Sequence, residues 1–277
     1  TTISDELHKL LLNGANKVRN SKKLKKKNDY RFYRDISNWV GQVITENTIG
    51  VDKLKTGKLY DKNNNLIDRL SKCYASAIHD VLREKGYGNC VLPPEIQALE
   101  KSQKLFGEIY TISGHIDYSL SRHESLLLWS QVLSKVPSEK VIVCQPNTHS
   151  IALMGELSAR ALMVKGTKGY LMDGHCRDVE EILDAKFPVF CRLSTAADIV
   201  ERWKYDSLGH PITIGTVTIH SGDYIIADMD GAVIIPKNIA EDVISKTEDV
   251  MSTESEMRQA ILNGMDPEQA YLKFRKF

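Results

Sequence analysis

Helix-like and strand-like segments alternate along residues 66–192, and this alternation constrains the fold more than any other feature of the sequence. An amphipathic segment at 66–86 ends at Gly86, and VLPPEIQAL after it indicates a turn that leads into an extended segment. Strand-like runs follow at 104–114, 140–145, 167–172 and 187–192, and helical runs separate them at 124–135, 156–164 and 178–185. Residues 211–236 then hold three β-rich runs, and helices are predicted at 239–251, 254–263 and 267–274. This order predicts a mixed α/β core.

Composition narrows the class of protein. The 277 residues are 42% hydrophobic and carry a formal net charge of +1, so no global charge favours nucleic acid or an anionic membrane. No apolar run is long enough to span a bilayer, and the first residues lack the basic-then-apolar pattern of a secretion signal. The five cysteines are scattered without a CxxC pair. We therefore expect a cytoplasmic protein that binds neither nucleic acid nor membrane.

Residues 1–62 are predicted to form a partly helical N-terminal extension, and residues 63–277 the main domain with a helical C-terminal tail. Residues 4–20 show helical spacing, and five lysines lie within 21–28. A solvated helix end or loop is the simpler interpretation of the lysines, and a phosphate-binding patch is the alternative. DKNNN at 61–65 indicates a loop.

The segment from Gly155 to Glu181 contains the residues best suited to catalysis. Gly155 precedes a predicted helix, whose free backbone N–H groups form a site for an anion such as a carboxylate. A strand then ends at Asp173-Gly174, and Arg177 and Asp178 follow at a strand-to-helix junction, where α/β sheets commonly bind ligands.

These residue types suit metal-assisted chemistry on a 2-oxo acid. Magnesium or manganese prefers oxygen ligands and is often held by one or two carboxylates, with water completing its shell. Arginine offers a fixed fork of donors to substrate oxygens. Such groups can stabilise the enolate that forms when the bond next to a 2-oxo acid breaks. An ordinary surface salt bridge is the other interpretation of the Arg177-Asp178 pair.

The same segment resembles the RraA-like family, which includes 4-hydroxy-4-methyl-2-oxoglutarate and 4-carboxy-4-hydroxy-2-oxoadipate aldolases. The family pattern is G-E-L, a helix, G-x-x-G and D-G-x-x-R-D-x-x-E, and it is matched by Gly155, Glu156, Leu157, Gly166, Gly169, Asp173, Gly174, Arg177, Asp178 and Glu181. YASAIHDVLREKG with VLPPEI, and HPITIGTVTIHSGDYIIADMDGAVIIP, extend the similarity over about residues 66–276. His175 and Cys176 depart from the small apolar residues more common at their positions. The resemblance implies a three-layer β/β/α domain of the swivelling type.

The resemblance also implies roles for individual residues. Asp178 would bind the metal, Mg²⁺ or Mn²⁺, and Glu156 would reach it through water. Arg177 would bind the substrate and polarise its keto oxygen, and Asp173 would orient Arg177. Gly155 and the backbone N–H groups of Leu157 and Ser158 would bind the pyruvyl carboxylate.

Members of the family place this site between the subunits of a homotrimer or homohexamer. Glu254 of a neighbouring subunit is the candidate to complete it, also through water. The implied activity is that of a class II type aldolase that releases pyruvate from a 4-hydroxy-2-oxo acid, or of a decarboxylase acting on oxaloacetate. The alternative is a non-catalytic regulator that binds a ribonuclease or another protein, as some family members do.

Three histidines are further candidate site residues. His115, Asp117 and His123 are a candidate metal triad, although a pocket wall or solvated loop is the simpler interpretation, and both histidines are candidate acids or bases. His149 is a candidate to line the site or to bond to backbone in a loop. Asp228 and Asp230 are predicted to form a structural turn.

Overall fold

The computed structural model of this chain describes residues 62–276. Residues 1–61 of the predicted N-terminal extension, with the helix at 4–20 and the lysines at 21–28, lie outside the described residues. The loop predicted at 61–65 is wrong from Lys62 onward, because a helix begins there. The helices are α1 (Lys62–Leu70), α2 (Ala75–Glu84), α3 (Arg122–Lys135), α4 (Glu156–Lys165), α5 (Val179–Asp184), α6 (Ala240–Leu262) and α7 (Pro267–Phe274). The strands are β1 (Gln97–Ala98), β2 (Leu105–Ile116), β3 (Val141–Gln145), β4 (Ala152–Met154), β5 (Gly169–Met172), β6 (His175–Cys176), β7 (Val189–Cys191), β8 (Leu193–Ser194), β9 (Trp203–Leu208), β10 (Ile212–Ile214), β11 (Val217–Ile219), β12 (Tyr224–Asp228) and β13 (Gly231–Ile235).

The main sheet has the order β1-β7-β5-β3-β2-β12-β13, and β9 also pairs with β2. Strands β2, β3, β5 and β7 run parallel, whereas β1, β9, β12 and β13 pair antiparallel with their neighbours. Parallel neighbours require a crossover connection, and α3 and α4 supply two of them. The mixed α/β fold predicted from the alternating pattern is confirmed.

A second, smaller sheet has the order β4-β6-β8 and is parallel throughout. Its residues share one hydrophobic cluster with the main sheet and with α3, α4 and α5, as Leu153, Cys176, Ile142 and Leu162 illustrate. A hairpin of β10 and β11 packs on a second cluster, and α1, α2 and α6 cover β12 and β13 in a third. The predicted layers of sheet, sheet and helix are therefore present. The small sheet is packed closely against the main sheet and helices α3, α4 and α5.

The segment 66–86, predicted as one helix, forms two. Helix α1 ends at Leu70, and Tyr74 adopts an extended conformation (φ −128°, ψ 157°) before α2 begins. The carboxylate of Asp228 accepts a hydrogen bond from the Ala75 N–H at 2.8 Å, so it satisfies a free donor at the start of α2. The structural role predicted for Asp228 is confirmed, since it also accepts from the Asp230 N–H at 3.0 Å.

The C-terminal segment shows the reverse case. The two helices predicted at 239–251 and 254–263 form one continuous helix, α6. The Thr253 hydroxyl donates to the Asp249 carbonyl at 3.1 Å within this helix, which satisfies the hydroxyl without interrupting the turn. Within residues 62–276, no helix combines the length and the apolar character needed to cross a membrane.

Replacement of Asp228 should destabilise the domain. Asp228→Ala removes the acceptor for two backbone N–H groups, and we expect a loss of about 1–2 kcal/mol in the free energy of unfolding, measured with urea. Asp230→Ala is the matched control, because the Asp230 side chain is exposed and lies 3.4 Å from the Ser76 hydroxyl. Its cost should stay below about 0.5 kcal/mol, and equal losses in the two variants would contradict the capping role.

Candidate active site

The small parallel sheet brings two distant segments of the chain together at its carboxyl edge. Met154 pairs with Cys176, and Cys176 pairs with Ser194. The Arg177 N–H continues the ladder by donating to the Met154 carbonyl at 2.9 Å. Gly155 and Arg177 therefore leave neighbouring strands side by side, at the edge where α/β proteins commonly bind ligands.

Gly155 is required by space. Its backbone is extended (φ −136°, ψ 176°), a conformation open to any residue. A Cβ atom at this position would lie 2.7 Å from Asp178 Oδ2 and 3.3 Å from Arg177 Nε. Glycine therefore allows the charged groups to approach the backbone at the start of α4.

The Asp178 carboxylate lies at the N-terminus of α4. It accepts a hydrogen bond from the Glu156 N–H at 3.1 Å, and its Oδ2 is 3.6 Å from Arg177 Nε. The positive end of the helix dipole favours a carboxylate at this position. Asp178 itself adopts a left-handed conformation (φ 56°), which is uncommon outside glycine but tolerated by Asp and Asn.

Leu157 and Ser158 supply the next backbone N–H groups of α4. Such donors in the first turn have no acceptor earlier in their own helix. Asp178 takes the first N–H, that of Glu156. Binding of a substrate carboxylate by the N–H groups of Leu157 and Ser158 stays a prediction. The Ser158 hydroxyl accepts from Trp129 Nε1 at 2.9 Å, which joins the start of α4 to α3.

Asp198 is the carboxylate that orients Arg177. Arg177 Nη1 donates to Asp198 Oδ2 at 3.1 Å, and Asp198 Oδ1 accepts from the Val200 N–H at 3.1 Å. The second bond holds the carboxylate in place, so that the guanidinium has a defined position between Asp178 and Asp198.

The geometry therefore corrects the role predicted for Asp173. Its Oδ1 accepts from Arg192 Nε at 2.5 Å and lies 3.3 Å from His149 Nε2. The Arg192 side chain has little exposed surface, so Asp173 neutralises its partly buried positive charge. Asp173 therefore pairs with Arg192 and does not orient Arg177. His149 is exposed and borders this ion pair.

The two glutamates predicted as water-mediated metal ligands have partners within the chain. The Glu156 side chain pairs with Arg160 one turn along α4, next to Asp178. The Glu254 carboxylate, on α6, accepts a hydrogen bond from the Tyr74 hydroxyl and lies 3.8 Å from Lys276 Nζ. Burial, then the bond to Glu254, raises the pKa of Tyr74 to about 12. A role for Glu254 in a neighbouring subunit of a trimer or hexamer stays a prediction.

Two depressions flank the Arg177–Asp178 pair. One, of about 450 Å³, is lined by Arg177, Asp178, Val179 and residues 194–196. The other is a cleft of about 270 Å³ between α3, α4 and residues 198–200, with the same two charged residues in its wall. Together they offer room for a small ligand in contact with both charges.

The residues present fit a hard divalent ion, although among residues 62–276 no three His, Cys, Asp or Glu side chains form a metal cluster. Asp178 provides a partly exposed carboxylate that borders the larger depression, and Glu156 begins the neighbouring helix. Mg²⁺ usually keeps several waters and binds through one or two carboxylates, so this donor set is sufficient.

The alternative triad of His115, Asp117 and His123 does not form a metal cluster either. His115 Nδ1 lies 2.7 Å from Asp206 Oδ1, and Asp117 pairs with Lys204 Nζ at 2.7 Å. The hydrogen bond from Lys204, aided by Ser119, holds the pKa of Asp117 well below its ordinary value. His123 is exposed in the first turn of α3.

The two positions that depart from the family pattern lie on β6 and point in different directions. Cys176 is buried in the core, and its Sγ accepts from the Cys191 thiol at 3.5 Å. This bond raises the pKa of Cys191 well above its ordinary value. The buried Nδ1 of His175 has no hydrogen-bond partner in the part of the chain that the structure describes.

Substitution of Gly155 should displace the Asp178 carboxylate while the domain stays folded. In Gly155→Ala the added methyl group occupies the space of Oδ2, so the Glu156 N–H loses its acceptor and its hydrogen exchange, followed by NMR, should accelerate. Gly88→Ala is the control, because a Cβ at Gly88 meets nothing within 4 Å. Unchanged exchange at Glu156 would show that Gly155 is not required by the carboxylate.

Comparison with known proteins identifies the family of this chain. The family model described as "RraA-like: Aldolase/RraA" matches residues 75–234. Protein DlpA of Legionella pneumophila is 30% identical over 214 residues, which cover 76% of this chain and 34% of DlpA, so the chain spans about a third of that relative. A protein of Halalkalibacterium halodurans named "Putative 4-hydroxy-4-methyl-2-oxoglutarate aldolase" is 24% identical over 182 residues, covering 66% of this chain and 83% of the relative.

A solved structure shares the fold. RraAS2 of Streptomyces coelicolor, described as an unusual member of the RNase ES inhibitor RraA protein family, superposes with a TM-score of 0.62 at 23% identity. The match covers 70% of this chain and 96% of RraAS2. With the family model matched over more than half of its length, this chain belongs to the RraA-like family.

Proposed function

We propose that this chain is a carbon–carbon lyase that uses Mg²⁺ or Mn²⁺ to cleave a 4-hydroxy-2-oxo acid and release pyruvate. Decarboxylation of oxaloacetate passes through the same enolate and belongs to the proposal. One observation carries it: Asp178 takes the first N–H of α4, and Leu157, Ser158 and Arg177 line one cleft with it. The relative from Halalkalibacterium halodurans, through its name, supports the same class.

The arrangement suits the two ends of a pyruvyl group. A carboxylate of the substrate would accept from the N–H groups of Leu157 and Ser158, where the helix dipole is favourable. Its keto oxygen would accept from Arg177, whose position Asp198 determines. Donors placed in advance at the atom where negative charge develops need little reorganisation during the reaction.

In the proposed reaction the hydroxyl at C4 loses its proton and becomes the carbonyl of an aldehyde or ketone. The C3–C4 bond breaks, and its electron pair moves toward the keto oxygen to give the pyruvate enolate. A proton delivered to C3 then gives pyruvate. Arg177 stabilises the developing charge, an effect worth about 10²–10³-fold in kcat for a single donor elsewhere. Asp178, and Glu156 through water, would hold a divalent ion, which would supply additional Lewis acidity to the site.

Asp178→Asn tests the proposal directly. The purified chain should turn over members of a panel of 4-hydroxy-2-oxo acids and oxaloacetate when Mg²⁺ or Mn²⁺ is present. Asparagine keeps the left-handed conformation but removes the charge, so kcat/KM should fall by about 10²–10³-fold, with a weaker apparent affinity for the metal. Asp184→Asn, at an exposed position in α5, is the control and should retain activity.

Two outcomes of that experiment would count against the proposal. Absence of turnover of any substrate with either metal would remove the lyase assignment and favour a protein-binding regulator. Full activity in Asp178→Asn would remove the metal assignment alone.

Asp198 and Asp173 should respond differently to substitution. Asp198→Asn weakens the hold on Arg177, so kcat should fall about tenfold or more with little change in the free energy of unfolding. Asp173→Asn leaves Arg192 without its nearest charge partner, so stability should fall by about 1–3 kcal/mol. Kinetics and urea unfolding of both variants provide the comparison, and a reversed pattern would restore Asp173 as the residue that orients Arg177.

A further inference from the structure

The cleft beside the candidate site has an apolar wall. We refer to it as the α3–α4 cleft, and it extends from Gly155, Arg177 and Asp178 into the space between α3, α4 and residues 198–200. Large apolar side chains form most of the wall away from the charged pair: Leu126, Trp129, Leu133, Leu157, Ile199 and Val200. The cleft begins at the residues assigned to the pyruvyl group. The part of a substrate that extends beyond this group would therefore lie in the cleft.

The wall is also held in a defined shape. Trp129 is buried, donates to the Ser158 hydroxyl at 2.9 Å and packs edge-on against Trp203, with ring centroids 5.9 Å apart. Ile199 is likewise buried. An aromatic ring restrained in this way forms a preformed surface for an apolar group and loses little entropy on binding.

The charges of the cleft disfavour a second anionic group on the ligand. Among the described residues that line it, Arg177 is the one cation, whereas Asp178 and Asp198 are both acidic. Arg177 is already engaged by Asp198 and is assigned to the keto oxygen. A carboxylate at the far end of a substrate would therefore meet two acids in this cleft and find no second cation among its described lining residues.

We propose that the substrate of this site is a 4-hydroxy-2-oxo acid whose part beyond C4 is an uncharged apolar chain or ring that occupies the α3–α4 cleft. This inference rests on the proposed function and names its substrate class. Retro-aldol cleavage of such a compound releases pyruvate and an apolar aldehyde or ketone, in which the former C4 hydroxyl oxygen becomes the carbonyl oxygen. The apolar product then leaves through the cleft.

A matched pair of substrates tests the proposal. 4-Hydroxy-2-oxoheptanoate and 4-hydroxy-2-oxoheptanedioate have the same chain length and differ by a terminal carboxylate. With the full chain and Mg²⁺ or Mn²⁺, kcat/KM for the monoacid should exceed that for the diacid by at least about tenfold, the lower end of what one apolar group changes in an apolar pocket. Titration calorimetry without added metal should show the same order for the non-cleavable 2-oxohexanoate and 2-oxohexanedioate.

Two neighbouring leucines provide the variant and its control. Both leucines are exposed on α3, but Leu126 lines the cleft and Leu127 lies outside the lining. Leu126→Arg supplies a cation for a distal carboxylate and should lower the monoacid-to-diacid ratio of kcat/KM by at least about tenfold. Leu127→Arg adds the same charge nearby and should keep the wild-type ratio. Equal shifts in the two variants would overturn the assignment of the cleft.

A separate measurement distinguishes failure of this inference from failure of the proposed function. Exchange of the pyruvate C3 protons in D₂O requires enolate formation but involves no distal group. If exchange occurs and the diacid is cleaved as well as the monoacid or better, the proposed function stands and the apolar substrate class is wrong. If neither exchange nor cleavage occurs, both proposals are overturned.

Discussion

The approach of the Asp178 carboxylate to the first N–H of α4 is the interaction on which the candidate site depends. It requires the pairing of β4 with β6, which brings Met154 beside Cys176 and delivers Gly155 to Asp178. It also requires the left-handed backbone at Asp178, without which the carboxylate would not turn back toward the helix. Glu156 and Asp178, twenty-two positions apart, are thereby joined by one hydrogen bond. Because this bond occupies the first N–H of α4, a ligand at the helix start would have to use the following N–H groups.

The surrounding core explains why this geometry is stable. The small sheet packs against the main sheet through buried residues such as Leu153, Cys176 and Cys191, so its carboxyl edge is anchored from below. From the side, Trp129 connects α3 to the start of α4 through Ser158. Charged groups at the surface of the site therefore stand on rigid elements, as residues that bind and orient a ligand require.

Some elements of the main sheet and its helices are predicted closely by the sequence. Strand β3 and helices α3 and α4 were predicted within two residues of their bounds, since each buries a continuous face or run. The strands of the small sheet span two or three residues, too few to show any period, and they were not predicted. These strands are therefore recognised only in the structure, from their pairing with one another.

The same limit applies to individual site residues. Arg177 and Asp178 were identified because they follow a strand and a glycine turn in one continuous segment. Asp198 lies twenty-one residues beyond Arg177 in a segment without a recognisable signal, so its contact depends on tertiary structure. The role of Asp173 came from the family resemblance, whereas in this structure its carboxylate accepts a hydrogen bond from Arg192 and not from Arg177.

The crowded contact at Gly155 has a consequence for reading related sequences. Because a single methyl group at this position would overlap the Asp178 carboxylate, the identities of the two residues are coupled. A relative that carries a larger side chain in place of Gly155 has no room for an acid in this pose, whatever its remaining motif. Co-variation of positions 155 and 178 across the family thus offers a marker. It separates members that can hold a carboxylate at the start of α4 from members that cannot.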